Sequence, residues 1–187
     1  MIDRRDMLSL ALLAGAATAA PAVANTLAGN DHADDFDFLI GSWRVKHRRL
    51  KERLVGSNEW QDFDGTCVMQ PLMGGVGNVD DNWLDIPSGA YRAVGLRSYD
   101  PKTGLWAIWW LDGRSPHMID VPVKGNFQDG VGTFIADDTH RGKPVKLRFQ
   151  WSAITASSAQ WRQALSADGG KTWETNWVMH FTRTQST

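Results

Sequence analysis

Residues 145–151 read Val-Lys-Leu-Arg-Phe-Gln-Trp, with an apolar side chain at every second position. Because successive side chains of a β-strand point to opposite faces, this alternation predicts a strand with one face in a core and the other towards water. Residues 173–179 follow a similar pattern, and residues 105–111 are apolar on both faces, as a well-covered strand would be. No long stretch after residue 40 keeps the 3.6-residue period of an amphipathic helix.

Turn sequences separate these segments. Residues 100–104, Asp-Pro-Lys-Thr-Gly, place Pro to start a type I turn and Gly to close it. Further turn signals lie at 129–130, 141–144 and 168–170. Counting the segments between turns gives about ten strands, joined mostly to their sequence neighbours. Since such a meander exposes edge strands unless it closes, we predict an all-β fold, a closed antiparallel barrel with one short helical turn at 36–40.

The N-terminal segment predicts export. Arg4-Arg5 precedes an apolar run from Leu8 to Ala20, and Ala22-Val23-Ala24 offers a small-residue cleavage site. Residues 1–24 are therefore interpreted as a signal peptide of the twin-arginine type, because the apolar run is short for a membrane span. We expect a periplasmic or secreted protein whose mature part, residues 25–187, is a single domain.

Composition excludes several classes of function. The chain has 20 Lys plus Arg against 21 Asp plus Glu, a formal net charge of −1, so no global field attracts nucleic acid or an anionic membrane. Its single Cys excludes an internal disulfide and a multi-thiolate zinc site. The five His show no paired ligand spacing, and no metal is predicted. The acidic residues of 80–85 lack the pattern of a calcium loop and are interpreted as a solvated loop.

Four motifs carry a family resemblance. They are Phe-Asp-Phe-Leu-Ile-Gly-Ser-Trp at 36–43, Tyr-Asp-Pro-Lys-Thr-Gly-Leu-Trp at 99–106, Trp-Trp-Leu-Asp-Gly at 109–113 and Ser-Ala-Asp-Gly-Gly-Lys-Thr-Trp at 166–173. Together they resemble an uncharacterised bacterial family, the domain of unknown function numbered fifteen seventy-nine. The opening turn, Gly-x-Trp and first strand are also similar to the calycin barrels, which include lipocalins and haem-binding nitrobindins. The resemblance implies a closed barrel with a side-chain-lined cavity, and it implies no chemistry.

The motif at 166–173 also matches the Asp-box hairpin of sialidase propellers. A propeller needs several blades, and this chain has one such box and no room for blades. We interpret the motif as a structural hairpin in which the side chain of Asp168 accepts hydrogen bonds from turn amides.

The first strand carries one candidate group of ligand-binding residues. His47 and Arg49 share a face with Trp43, and in calycin barrels the tryptophan of Gly-x-Trp closes one end of the core. If Trp43 points inward, His47 and Arg49 face the cavity, and the arginine needs a carboxylate or an anionic ligand. The alternative is that the strand twists near its end and both side chains reach solvent.

A second candidate group follows the Trp-rich strand. Asp112, Arg114 and His117 lie within six residues at a strand end, where they could line the mouth of a cavity. The alternative is an ordinary hairpin with an exposed Asp–Arg pair. Of the ten Trp, about two thirds should belong to the core. The remainder would suit an aromatic or apolar ligand, and we expect these beside the two groups: Trp110, Trp151 and Trp161.

Three functions stay open at this point. The leading one is an exported barrel that binds a small apolar or aromatic molecule without catalysis or cofactor. The second is an enzyme on the same barrel, an isomerase, cyclase or lyase, with His47 or His117 as general base and Arg49 or Arg114 holding an oxyanion. Inward-facing ionisable groups favour the enzyme, and a wholly apolar lining favours the binder.

The third function is haem binding. Nitrobindins hold iron through a histidine on the last strand, and residues 179–183, Met-His-Phe-Thr-Arg, look superficially similar. A lone histidine is weak evidence for haem. Alternation places His180 on one face with Asn176 and Val178, and the opposite face is aromatic, with Trp173, Trp177 and Phe181. If the aromatic face is inside the barrel, His180 is outside.

Overall fold

The structure, a computed structural model, describes residues 32–184 and consists of one closed antiparallel β-barrel. Each strand pairs with its sequence neighbours, and the first strand pairs with the last to close the ring. The ten strands are β1 (Gly41–Leu50), β2 (Trp60–Leu72), β3 (Gly77–Asp85), β4 (Tyr91–Asp100), β5 (Leu105–Asp112), β6 (Val123–Gln128), β7 (Val131–His140), β8 (Lys143–Ser152), β9 (Ser158–Ser166) and β10 (Glu174–Arg183). The predicted fold class is thus confirmed. The proposed signal peptide lies outside the described residues.

Among residues 32–184, helical structure is confined to two single turns. They are the 3₁₀ turns Asp37–Leu39, at the predicted place, and Met73–Gly75 between β2 and β3. Among residues 32–184, no helix has the length and apolar character needed to cross a membrane.

An aromatic plug fills one end of the barrel. Phe36, which precedes the turn Asp37–Leu39, is fully buried and meets the rings of Trp106, Phe127 and Trp151 edge-on, at centroid distances of 5.0 to 6.3 Å. Edge-to-face contacts of this kind are favourable because the positive edge of one ring meets the negative face of another.

The plug is tied to the first and last strands. Trp43 donates its indole N–H to the carbonyl oxygen of Leu39 at 2.7 Å. The guanidinium of Arg183 lies 4.2 Å from the centroid of the Trp43 ring and donates to the carbonyl oxygens of Phe38 and Ile40. This end of the barrel is therefore closed, as the Gly-x-Trp motif implied.

The opposite end is open. Alternate connections of an antiparallel meander share an end, so the loops after β1, β3, β5, β7 and β9 all lie there. On β1 the predicted alternation holds, since Trp43, Val45 and His47 are buried and the residues between them are exposed. Strand β1 therefore runs from the plug towards the open end with its interior face as predicted.

Strand β3 corrects the interpretation of residues 80–85 as a solvated loop. Asp80 and Asn82 are buried in the barrel, with relative exposures of 3% and 6%, and only Asp81 and Asp85 between and beyond them are exposed. Asn78, Asp80 and Asn82 form a polar interior face on β3. Because a strand is usually recognised by an apolar inner face, this segment resembles a loop in the sequence.

Strand β10 departs from the predicted alternation. Its pairing with β9 shifts register between Thr175 and Trp177, and this bulge leaves Asn176 (0% exposed) and Trp177 (6% exposed) both inside. The period-two pattern had placed Asn176 on the outer face. A bulge inserts one extra residue without changing the sequence pattern, so alternation alone could not locate it.

Tryptophan burial is lower than the predicted two thirds. Five of the ten are buried, namely Trp43, Trp106, Trp151, Trp161 and Trp177. The other five are half-buried: Trp60, Trp83, Trp109, Trp110 and Trp173. Strand β5 is one reason. Only one face of a strand can point into a barrel, so the second apolar face of residues 105–111 lies half-buried on the outside of the barrel.

Candidate functional site

A cavity of about 220 Å³ lies between the plug and the open end. It is smaller than the roughly 300–1,000 Å³ of drug-sized pockets, so it suits a compact molecule such as a substituted aromatic ring. Its apolar wall comes from the four strands β5, β8, β9 and β10 and consists of Ile108, Trp110, Leu147, Phe149, Trp151, Trp161, Leu165, Trp177, Met179 and Phe181.

Tryptophan rings in perpendicular contact organise this wall. Trp177 meets Trp161 at 5.5 Å and an interplanar angle of 90°, and it meets Trp110 at 6.2 Å and 86°. Phe149 lies 4.8 Å from Trp161. Because each ring is held by its neighbours, the wall is a preformed aromatic surface.

A buried ion pair crosses β3 and β4 inside the cavity. A guanidinium N–H of Arg97 lies 2.5 Å from a carboxylate oxygen of Asp80, and both side chains are almost fully buried. Asp80 also accepts hydrogen bonds from the backbone N–H of Gly95, at 2.9 Å, and from the side-chain amide of Asn82. Arg97 donates to Asn78 at 3.2 Å. These bonds offset the large cost of removing both charges from water.

One further polar pair and two unpaired donors lie in the inner part of the barrel. The amide of Gln163 donates to Asn176 at 2.8 Å, so the bulge in β10 brings a residue inward that β9 can satisfy. Within residues 32–184, the Nε of Arg97 and the indole N–H of Trp151 are buried without a hydrogen-bond partner.

Arg49 marks the open mouth, at the end of β1. Its guanidinium lies 5.4 Å from the Phe63 ring centroid and 5.1 Å from that of Trp177, within range of cation–π attraction. It also donates to the hydroxyl of Tyr91 at 3.5 Å. Arg49 therefore sits where the aromatic wall ends and the mouth begins.

Arg53 follows in the loop after β1 and lines both the cavity and its mouth. Burial, and next the charge of Arg49, lower the pKa of Arg53, whereas Tyr91 and Glu174 act in the opposite direction. A carboxylate oxygen of Glu174 is already engaged by the backbone N–H of Leu54 at 2.8 Å. No carboxylate of residues 32–184 forms an ion pair with Arg49 or Arg53.

Arg114 is paired instead. It meets Asp112 through two hydrogen bonds of 2.9 and 2.6 Å and lies 3.8 Å from the centroid of the Tyr91 ring. This side-chain bond raises the pKa of Arg114 and is the main reason that the pKa of Asp112 is lowered. The Asp–Arg pair considered in the sequence is thus present, beside Arg49 at the mouth.

Acidic residues also line the mouth. Burial, together with the charges of Asp138 and Asp112, raises the pKa of Asp120. Asp120, Asp138 and His140 all border the cavity, so the mouth carries both signs of charge. What sets Arg49 and Arg53 apart is the lack of an ion-pair partner.

His47 belongs to the wall behind the cavity. It is 4% exposed, its ring stacks on Phe63 at 4.5 Å, and its Nδ1 accepts the indole N–H of Trp177 at 3.3 Å. Burial, and next the charge of Arg49, lower the pKa of His47 to about 3. It is a neutral histidine that orients Trp177.

The structure thus separates the predicted site residues into two sets. His117 is exposed and borders neither the cavity nor its mouth, and His47 touches the cavity only through Trp177. The other six border the cavity or the mouth: Arg49, Trp110, Asp112, Arg114, Trp151 and Trp161.

Haem held as the nitrobindin resemblance implies does not fit these residues. His180 is exposed on the outside of β10, where its Nδ1 lies 3.4 Å from the amide of Gln160. The one histidine of residues 32–184 that lines the cavity is His140, at the mouth beside Asp138. No group of three potential metal ligands occurs in that part of the chain.

Sequence reasoning missed Asp80, Asn82, Arg97 and Arg53. The first two carry a signal, because polar side chains recur at every second position of 78–82 and could be recognised as one face of a strand. Arg97 lies on the neighbouring strand β4, whose pairing with β3 places Gly95 beside Asp80. Arg53 lies in a loop, and loop side chains follow no periodicity.

No protein-family model matches this chain, and no curated protein matches it. Among solved structures, a de novo designed fluorescence-activating β-barrel is similar over 81% of this chain and 98% of its own, at 12% identity and a TM-score of 0.45. A protein of unknown function from the DUF3598 family of Nostoc punctiforme is similar over 80% of this chain and 48% of its own, at 11% identity and a TM-score of 0.42. Likenesses this remote carry no argument about function, and membership of the family that the motifs resemble stays a prediction.

Proposed function

We propose that this barrel binds a small aromatic acid, with the ring in the central cavity and the anionic group at the mouth. One observation carries the proposal: an aromatic-walled cavity opens beside Arg49 and Arg53, two guanidinium groups that form no ion pair with a carboxylate of residues 32–184. The sequence predicts an apolar or aromatic ligand, and the two arginines indicate that this ligand also carries a negative charge.

The cavity wall supports the aromatic part of the ligand. Trp110, Trp161 and Trp177 meet at right angles and leave ring faces and edges towards the cavity. Burying about 150 Å² of a ligand ring at roughly 25 cal/mol per Å² contributes about 3–4 kcal/mol before the costs of association. The volume and the lining of the cavity therefore favour a compact aromatic ring.

The arginines support the anionic part. Burial, and next repulsion by the charge of Arg49, lower the pKa of Arg53. A carboxylate between them would relieve this repulsion and accept charge-assisted hydrogen bonds, each worth about 1.5–3 kcal/mol. The ion pair of Arg114 with Asp112 leaves these two as the cations available to a ligand.

Binding without catalysis is favoured over the enzyme considered from the sequence. That enzyme needs His47 or His117 as a general base facing the ligand. The lone pair of His47 Nδ1 accepts the N–H of Trp177, and His117 is exposed away from the mouth. A general base must lie within hydrogen-bond reach of its substrate, and neither histidine lines the cavity or its mouth.

The proposal is tested by calorimetric titration with 4-isopropylbenzoate and with its uncharged amide. We expect Arg49→Met to weaken binding of the acid about tenfold, because Met keeps much of the stem volume and loses the charge-assisted bond. Binding of the amide should change little. Arg162→Met is the matched control, because Arg162 is exposed on the outside of β9.

Two outcomes would contradict the proposal. The first is that neither the acid nor the amide binds to the unaltered protein. The second is that Arg49→Met and Arg162→Met have equal effects on binding of the acid.

A further inference from the structure

The inner end of the cavity contains a hydrogen-bond donor with no partner. Trp151 is 2% exposed, and its ring is held by the rings of Phe36, Phe38 and Phe181 at centroid distances of 5.1 to 6.3 Å. Its indole N–H has no acceptor among residues 32–184, although the residue lines the cavity. Leaving a buried N–H unpaired costs free energy.

Three of the other four buried tryptophans of residues 32–184 have an acceptor for the indole N–H. The indole N–H of Trp43 is accepted by Leu39 at 2.7 Å, and that of Trp106 by the carbonyl oxygen of His32 at 2.8 Å. Trp177 donates to His47. The unpaired N–H therefore coincides with the cavity and is not a general property of the core.

A second unpaired donor lies beside the first. The guanidinium carbon of Arg97 is 5.9 Å from the centroid of the Trp151 ring, and its Nε is buried without a partner. Asp80 accepts neither N–H, since its oxygens accept from Gly95, from Asn82 and from Arg97 Nη1. This end of the cavity therefore has two buried N–H groups without an acceptor among residues 32–184.

We infer that Arg97 and Trp151 together bind a neutral hydrogen-bond acceptor at the inner end of the ligand, such as a ketone, aldehyde or ether oxygen. A second anion is disfavoured because the charge of Arg97 is already balanced by Asp80. The inference rests on the proposed function and narrows its ligand to an aromatic acid with an acceptor opposite the acid group.

The test compares 4-acetylbenzoate with 4-isopropylbenzoate. The two acids have nearly the same shape, and only the first has an acceptor opposite the carboxylate. We expect the unaltered protein to bind the acetyl compound about fivefold more tightly, the value of roughly one net hydrogen bond. Equal affinities would overturn the inference and indicate that a buried water satisfies these donors.

Variants locate the acceptor. Trp151→Phe keeps an aromatic ring among Phe36 and Phe181 and removes the N–H, so it should reduce the preference for the acetyl compound. Trp177→Phe is the matched control, because Trp177 is also buried in the cavity wall and its N–H is already donated to Nδ1 of His47. It should weaken both acids equally, and an equal loss of preference in the two variants would overturn the inference.

If Trp151→Phe does not fold, a measurement on the unaltered protein can take its place. The infrared ketone stretch of bound 4-acetylbenzoate should lie at or below its frequency in water, because two N–H donors lower it. A frequency typical of an apolar solvent would overturn the inference. Suppose that 4-isopropylbenzoate binds, that Arg49→Met weakens this binding, and that the bound ketone shows no hydrogen bond. The proposed function then stands, and the inner acceptor site is wrong. If neither acid binds, both fall.

Discussion

His47 shows how a single buried residue couples the core to pH. Burial, and next the charge of Arg49, lower the pKa of His47, and its Nδ1 accepts the N–H of Trp177 only while the ring is neutral. These conditions make His47 a structural element of the cavity wall. They also predict a measurable pH dependence, because the unfolded chain imposes none of them.

Between pH 6.5 and about 3, His47 binds a proton in the unfolded chain and not in the folded one. Stability should therefore fall as the pH falls through this range, by about 2–3 kcal/mol at pH 4.5 from His47 alone. Urea unfolding at pH 7, 5.5 and 4.5 measures this dependence, and His47→Asn should make it shallower. His180→Asn, on the exposed face of β10, should leave the slope unchanged. Equal slopes for His47→Asn and the unaltered protein would contradict the account.

At the scale of elements, the 3₁₀ turn Asp37–Leu39 contributes more than its length suggests. It carries Phe36 into the end of the barrel, where the ring packs against four other rings besides Phe38 and lies 5.2 Å from the guanidinium carbon of Arg97. The same ring therefore closes the barrel and supports the inner end of the cavity.

Phe36→Ala should destabilise the protein by about 3–5 kcal/mol, because it leaves a void that the closed barrel cannot collapse to fill. Phe38→Ala is the control on the same turn and should cost less, since Phe38 is only half-buried. Denaturant unfolding of both variants measures the difference. A loss for Phe36→Ala no greater than that for Phe38→Ala would show that the turn is not the plug described here.

Strand pairing explains how polar groups come to line the interior. Strands β3 and β4 bring Asp80 against Gly95, and a side chain at residue 95 would collide with the Asp80 carboxylate, whose oxygens lie within 3 Å of an added Cβ. The bulge in β10 brings Asn176 inward, where Gln163 of β9 satisfies it. Asp80 and Asn176 thus each have a partner supplied by a neighbouring strand.

At the scale of the whole molecule, the barrel has two unlike ends. The plugged end is sealed by Phe36, Trp43 and Arg183, and the open end carries Arg49 and Arg53. A ligand would therefore enter from one side, with its anionic group last. This polarity agrees with the order of groups proposed above, with the acceptor inside and the acid outside.

Export is a prediction about the whole chain that rests on residues 1–24, outside the described part. Replacing Arg4 and Arg5 by Lys should keep the protein in the cytoplasm, since the twin-arginine route depends on this pair. Cell fractionation and immunoblotting measure the distribution, with Lys51→Arg as a control in the exposed loop after β1. Unchanged export of the double-lysine variant would point to the general secretory route. An unaltered protein that stays in the cytoplasm would contradict export itself.

The sequence by itself determined the all-β class and the strand number, and it placed Trp43 and His47 on one face of the first strand. These follow from local rules, because alternation, Gly and Pro turns and the Gly-x-Trp opening act within a few residues of chain. Alternation also placed Arg49 on the inner face, and Trp110, Asp112 and Arg114 did lie beside it at the mouth.

Only the tertiary structure decided which inward residues meet. Barrel closure joins β1 to β10 and so sets His47 against Trp177, a contact across 130 residues that no local pattern contains. The bulge at Thr175–Trp177 turned Asn176 inward, and the polar inner face of β3 resembled a solvated loop until β4 supplied Arg97. Burial of a polar side chain depends on partners brought by distant strands, and those partners exist only once the barrel has closed.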